Sequence, residues 1–345
     1  MPDLGQDERA AKERAVSNRS RTSRALSSQS TRFPRGGPDP VKYPFIAECV
    51  PRPLLRVAAI IKFAIRSERL LISTARFPLL REFFKCRMDA IGNLKDPAIR
   101  DYVYSRLSAG GGRTTKQTAA GRLRDLDEIV VSLARSGEPN IVHDIGVSSG
   151  VTSLDLFSTL QGRKLPVSFY ISDKYARYAA TGQSIVRIVD ADGALVEMYV
   201  ARVLAKRDVS KYFFLTRFLY WLFASLGAQK PAKWFLLYDP EVIDRIDRGV
   251  MHHVDYDVFE TRMPSQFTFV RCMNLLNMDR FAPTQIEHAL KNIVLSLKDS
   301  GVLQVGRTMA DGHNTAAFYL KTDKGLRLLK EVGGGTELRD LLTRL

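Results

Sequence analysis

Hydrophobic residues recur along this chain in two different periods, and the switches between them mark its elements. From 51 to 66 the apolar positions Leu54, Val57, Ala58, Ile60, Ile61, Ala64 and Ile65 follow helical spacing. Arg52, Arg56, Lys62, Arg66 and Arg69 fall opposite them, on an arc of about 140° at 100° per residue. The pattern predicts an amphipathic helix with a cationic face, followed by a second helix over 77–88. After the break Gly110-Gly111-Gly112, the spacing of Leu123, Leu126, Ile129, Val130 and Leu133 predicts a helix over 116–135. A short strand from Asn140 then enters a turn of small residues and a helix from about Thr152. Further strands are expected over 167–172, 251–256 and 267–272, and a helix over 284–297. Two late strands, 316–321 and 326–332, precede Gly333-Gly334-Gly335.

The turn carries the most chemistry. It reads Asp144-x-Gly146-x-Ser148-x-Gly150. Small residues there let a ligand come close to the backbone, and the next helix offers its N-terminal N–H groups. This resembles the first motif of class I S-adenosylmethionine (SAM)-dependent methyltransferases, with Ser148 replacing the middle glycine. The resemblance implies that Asp144, Gly146, Ser148 and Gly150 hold the methionine part of SAM. It implies that Asp173, closing the second strand, accepts the ribose hydroxyls. Asp257 takes the place of the acid that meets the adenine amino group, with Asp255 as the alternative, and Val258 that of the apolar residue on the ring. Strand 267–272 runs into Asn274-Leu275-Leu276-Asn277. With Arg271 this is similar to the Arg-x-x-Asn-hydrophobic-Leu pattern of the chemotaxis-receptor-type branch, which implies that Asn274 lines the reaction site. The Asn/Asp-Pro-Pro-Tyr motif of amino-directed DNA methyltransferases is not present. Leu297-Lys298-Asp299-Ser300-Gly301 resembles the family's turn into the fifth strand.

Asp173 to Met251 spans about eighty residues, longer than this crossover usually needs. Runs 184–189 and 194–200 flank Asp190-Ala191-Asp192-Gly193, a hairpin signal. Residues 211–227 then read as a helix apolar on every side, with Tyr212, Phe213, Phe214, Phe218, Tyr220, Trp221 and Phe223. It suits a core helix, a lid over a substrate pocket, or an interfacial element. Asp239-Pro240-Glu241 starts a short helix ending near Asp247.

The fold expected is therefore a Rossmann-like class I methyltransferase sheet. It is mostly parallel with an antiparallel hairpin at the end, an N-terminal helical region, and an insertion between strands two and three. The divisions expected are a disordered tail over 1–40, a basic helical cap over 41–137, and a SAM-binding domain over 138–345 with the insertion at 184–233.

Charge adds one fact. The chain has 345 residues with 52 Lys+Arg against 37 Asp+Glu, a net +15. Residues 51–87 hold nine basic and two acidic residues, so nearly half the excess lies outside the proposed SAM region. That face suits an anionic substrate or a membrane surface; nucleic acid is possible and not favoured. Cys49, Cys86 and Cys272 stand far apart, with no Cys/His cluster, so no metal is expected. His252, His253 and His313 qualify as general bases by residue type alone. No signal-like segment and no apolar run of membrane length is seen, so the expectation is a cytoplasmic protein, with a peripheral membrane association open through 51–87. The function expected is methyl transfer from SAM to an unidentified acceptor, a small molecule or protein side chain before RNA or DNA. The alternative is a non-catalytic SAM-fold protein acting through protein contacts.

Overall fold

The computed structural model describes residues 88–93, 100, 104, 108–109, 114–115, 118–182, 185–200, 203–206 and 233–345. The tail over 1–40, the amphipathic helices of 51–88 apart from Met88, and the aromatic helix of 211–227 lie outside the described residues.

A seven-stranded sheet carries the fold. β1 (Ser108–Ala109) and β2 (Thr114–Thr115) form only a two-residue antiparallel ladder ahead of it. The large sheet starts with β3 (Asn140–Ile145), followed by β4 (Val167–Ser172), β10 (Met251–His253), β11 (Phe267–Met273), β12 (Leu297–Thr308), β13 (Asn314–Thr322) and β14 (Gly325–Val332). Their spatial order is β10-β4-β3-β11-β12-β13-β14. The first five run parallel, and β12, β13 and β14 form an antiparallel meander. This is the mostly parallel sheet with an antiparallel end that the sequence led us to expect.

Helices cover both faces. On one lie α1 (Arg124–Leu133), α2 (Val151–Gly162) and α3 (Pro240–Asp247), packed through Leu126, Val130, Leu156, Leu160 and Val242 onto Val142, Phe269 and Phe318. On the other lie α4 (Pro283–Ser296) and α5 (Arg339–Leu342), whose Ile286, Leu290, Ile293 and Leu341 meet Ile145, Val270, Leu303 and Tyr319. β3 and β11 are nearly fully buried, and the polar residues they carry into the interior, His143, Asp144 and Arg271, bond one another or nearby groups.

α1 starts at Arg124, not 116. Gly121 adopts φ 72°, and residues 120–123 form turns. α1 also packs into the main core, so a boundary at 138 separates it from the sheet it covers. The segment expected to turn into the fifth strand is part of β12 itself, with Ser300 at φ 57° and a register shift opposite Phe267 and Phe269.

The crossover from β4 to β10 holds a second sheet. β5 (Arg177–Thr181), β6 (Ile185–Asp190), β7 (Leu195–Val200), β8 (Val203–Lys206) and β9 (Lys233–Leu236) pair antiparallel in the order β8-β7-β6-β5-β9. The expected hairpin is its β6–β7 unit: Gly193 has φ 78°, and the Asp190 carboxylate accepts the Ala194 N–H at 2.8 Å. The insertion begins at Arg177 rather than 184 and ends at Leu236. α3 follows, capped by Asp239, whose side chain accepts the Glu241 N–H. No helix among the described residues is long and apolar enough to cross a membrane.

Candidate active site

The chain leaves β3 to build β4 and β10 on one side, then returns to place β11 and β12 on the other. The order reverses between β3 and β11, and the crevice beyond the carboxyl ends at such a point is where open α/β sheets bind ligands. Four segments meet along that edge. In spatial order they are Asp255 and Asp257 after β10, Asp173 after β4, the turn 146–150 after β3, and Asn274 after β11. At about 4.8 Å per strand the row spans about 14 Å.

The turn and Asp173 form one unit. Ser148, at φ 60°, donates its N–H to Asp173 Oδ2 at 2.8 Å, and Tyr175 N–H donates to Oδ1 at 2.9 Å. Gly146 N–H and Val147 N–H donate to the Ser172 carbonyl. Gly146 and Gly150 have φ 72° and 82°, a region that excludes most other residues. A Cβ on Gly146 would stand 3.2 Å from the Leu275 side chain, and one on Gly150 3.1 Å from that of Val242. The space above both glycines is thus taken by protein side chains. Tight packing of β11's exit loop and α3 against the turn is one reason for these glycines.

Asp144 lies below this surface. It is buried, accepts from Ser153 Oγ at 2.6 Å, and is bonded by Arg271 Nη2. Arg271 is fully buried and also bonds Asp127 of α1 at 2.8 Å and the Thr152 carbonyl at 2.9 Å. Burial works against the Arg271 charge, but Asp144 and Asp127 more than offset it, and its pKa moves up. Burial raises Asp127 to about 7, against the pull of Arg271. Strand register explains the meeting: Asp144 is opposite Arg271, and Arg271 opposite Gln304, so the three form a polar row under α1 and α2. Asp144 therefore meets protein groups in this structure.

Asp257 is bridged by Lys174 Nζ at 2.6 Å and accepts the Phe259 N–H at 3.0 Å. The bond to Asp257 is the main reason the Lys174 pKa is raised. Val258 is a buried member of the α4-side core, and its carbonyl accepts from Asn292 at 2.9 Å. Asp255 takes a different partner set, His253 at 3.0 Å and Arg177 at 2.9 Å, and the His253 bond leads the causes that lower its pKa. Asn274 sits at φ 58°. Its Oδ1 accepts the Thr308 N–H at 2.7 Å and Arg122 Nη2 at 3.3 Å.

The histidines are dispersed. His253 bridges Tyr238 Oη and Asp255. His252 lies against the Tyr170 ring, 5.1 Å between centroids. Both belong to β10, three strands from β11. His313 pairs with Asp311 in the β12–β13 turn. His143 is enclosed below the turn beside Ser172, and burial pushes its pKa down to about 3, so it is a neutral imidazole. Among the described residues no group of three metal-binding side chains comes together.

Sequence reasoning passed over Lys174, Asp127 and Val242, and met Leu275 only as the hydrophobic position of the motif after β11. Asp127 had a signal: it falls on the apolar stripe of α1, three residues before Val130 and four after Leu123. An acid on such a stripe needs a buried partner.

No family model and no curated protein matches the sequence. Solved structures give loose similarities. The Burkholderia thailandensis 1,6-didemethyltoxoflavin-N1-methyltransferase with bound S-adenosylhomocysteine is 15% identical, with 66% of this chain and 68% of that one covered, at a TM-score of 0.31. The citrinin polyketide synthase CMeT domain is 11% identical over 74% and 51%, at 0.33. The [4+2]-cyclase SpnF is 11% identical over 59% and 52%, at 0.29.

Proposed function

We propose that the protein is a methyltransferase that draws its methyl group from SAM and passes it to a small molecule or a protein side chain. The observation that supports this most is the ordered edge Asp257–Asp173–turn–Asn274, reached by four segments distant in sequence at the sheet's reversal point. The row is about 14 Å long, suited to an extended ligand with a nucleoside at one end and an amino acid at the other.

The residues fit such a ligand at its nucleoside end. Asp173 accepts the Ser148 and Tyr175 N–H groups, which aim its carboxylate along the edge where a ribose would lie. The two backbone bonds fix that carboxylate before the ligand arrives. Asp257 is held by Lys174 and can accept an adenine amino group. Val258, buried in the core, supports the loop that presents Asp257. Gly146 and Gly150 shape the turn, and Asp144 steadies it from beneath through Ser153 and Arg271.

When bound, SAM supplies an electrophilic sulfonium methyl group. The chain's part is to align the acceptor and exclude water. Asn274, on the β11 side of the turn, is the residue we assign to the wall of the transfer site. On Arg271 and Asn274 we also propose a likeness to the chemotaxis-receptor-type branch. A carboxylate acceptor would need no general base.

Leu275 and Val242 over the two glycines favour a second reading, a descendant of this fold that works through protein contacts alone. Calorimetry with SAM and S-adenosylhomocysteine (SAH) separates the two. We expect micromolar binding of both ligands. Absence of heat at high-micromolar concentration rejects the methyltransferase reading. Binding without transfer of a labelled methyl group to any component of a cell extract supports the second.

A further inference from the structure

The turn rests on an uneven set of buried charges. Among the described residues, Arg271 is the one guanidinium that acts on Asp127. Facing Asp127 are Asp144 from β3, Asp155 from α2 and Asp125 from its own helix, with Arg271 from β11. Arg271 bonds Asp127 and Asp144 together. With both carboxylates ionised, this trio carries one excess negative charge. Its position relative to the turn is fixed at both ends. Asp144 lies two residues before Gly146, and the Thr152 carbonyl that Arg271 also holds lies two residues after Gly150. Buried charges are poorly screened, so an excess charge here acts on whatever lies over the turn.

SAM and SAH share their adenine, ribose, carboxylate and amino group. They differ by the methyl group and the positive charge it places on sulfur. We propose that Asp127 is a specificity-determining residue that makes this site hold the cationic reactant more tightly than the neutral product, through the excess negative charge it adds beneath the turn. This rests on the reading of the site as SAM-binding. The device favours product release after each transfer, because the charge that held the reactant is lost with the methyl group. Asp127 acts at a distance and takes no part in bond making.

The geometry comes with a pH signature. Burial raises the Asp127 carboxyl to about 7, so the excess charge is present above neutral pH and fades below it. SAM's sulfonium is permanently charged and lowers the pKa of its own ammonium below that of SAH, so each Kd is referred to the ligand with its ammonium protonated before the ratio is taken.

The test is calorimetric titration of the full chain with SAM and with SAH between pH 5.5 and 8.5, for the wild type and Asp127→Asn. In the wild type the ratio Kd(SAH)/Kd(SAM) should rise by about five- to tenfold across the range, the order expected for one poorly screened charge acting through a partly polar interior. In Asp127→Asn the ratio should stay flat at its low-pH value. A wild-type ratio independent of pH overturns the proposal, as does a variant that keeps the wild-type slope. If Asp127→Asn does not fold, the wild-type titration decides alone. Failure of the wild type to bind either ligand defeats the SAM reading and this inference together. Binding of both at a constant ratio defeats the inference only.

Discussion

Replacing Arg271 by methionine removes a side chain of similar reach and leaves Asp127 and Asp144 facing each other in the core. Three hydrogen bonds vanish: to Asp127, to Asp144 and to the Thr152 carbonyl. Each hydrogen bond to a charged group is worth about 1.5–3 kcal/mol, while burying the guanidinium itself costs several. The net loss expected for breaking a buried ion cluster on one side is about 3–5 kcal/mol. Much of it should depend on pH. Without the guanidinium, both carboxyls have folded-state pKa values above their unfolded ones. The folded state then binds more protons, and the variant's stability falls as pH rises from about 4 through those raised values. Urea unfolding of wild type and Arg271→Met at pH 5 and pH 8, followed by circular dichroism, checks this. The deficit should be larger at pH 8. Arg271→Lys keeps the charge, loses the fork, and should cost less at both pH values. A deficit below about 1 kcal/mol at pH 8, or one equal at the two pH values, would refute the argument that Arg271 neutralises these acids.

Gly150→Ala combines φ 82° with a Cβ 3.1 Å from Val242, and should lower stability by about 1–3 kcal/mol in the same assay; Gly150→Ala with Val242→Ala should recover the part due to crowding. Cys272 is buried, and burial pushes its thiol up to about 12, so in a Cys49→Ser, Cys86→Ser background it should react with a thiol reagent at pH 8 only after denaturation. Immediate labelling in native buffer would count against the packing of β11 described above.

The readable parts of this fold were those where one force acts alone. β3 is marked by the turn of small residues that follows it, and β11 by its β-rich, mostly apolar run. Asp239-Pro240-Glu241 announces α3 because a capping carboxylate and a first-turn proline act locally. Asp192-Gly193 did the same for the β6–β7 hairpin. Other features depend on contacts distant in sequence. β5 and β9 are short, and β5 (Arg-Tyr-Ala-Ala-Thr) lacks clear alternation, so each is defined by its neighbour. The overrun of α1 came from extending its stripe backwards through Gly121, where the chain turns. At the site, the sequence placed Asp173, Asp257 and Asn274 along one edge. It did not reveal that Leu275 and Val242 lie over the glycines, because spacing along a chain carries no record of which loop folds across which turn.

The inserted sheet is tied to the main fold at a narrow neck. Arg177 and Leu236 are paired, and Leu237 N–H donates to the Ala176 carbonyl at 2.7 Å. The chain departs and returns within one strand spacing, about 5 Å. A segment closed on itself in this way can be lengthened, shortened or exchanged at little cost to the strands it leaves, since joining ends already adjacent demands little loop entropy. The neck opens beside Asp173 and Asp255, at the nucleoside end of the proposed site. Change confined to the excursion would therefore alter what borders the site while preserving the row of residues that defines it, a division of labour that lets one fixed edge serve changing surroundings.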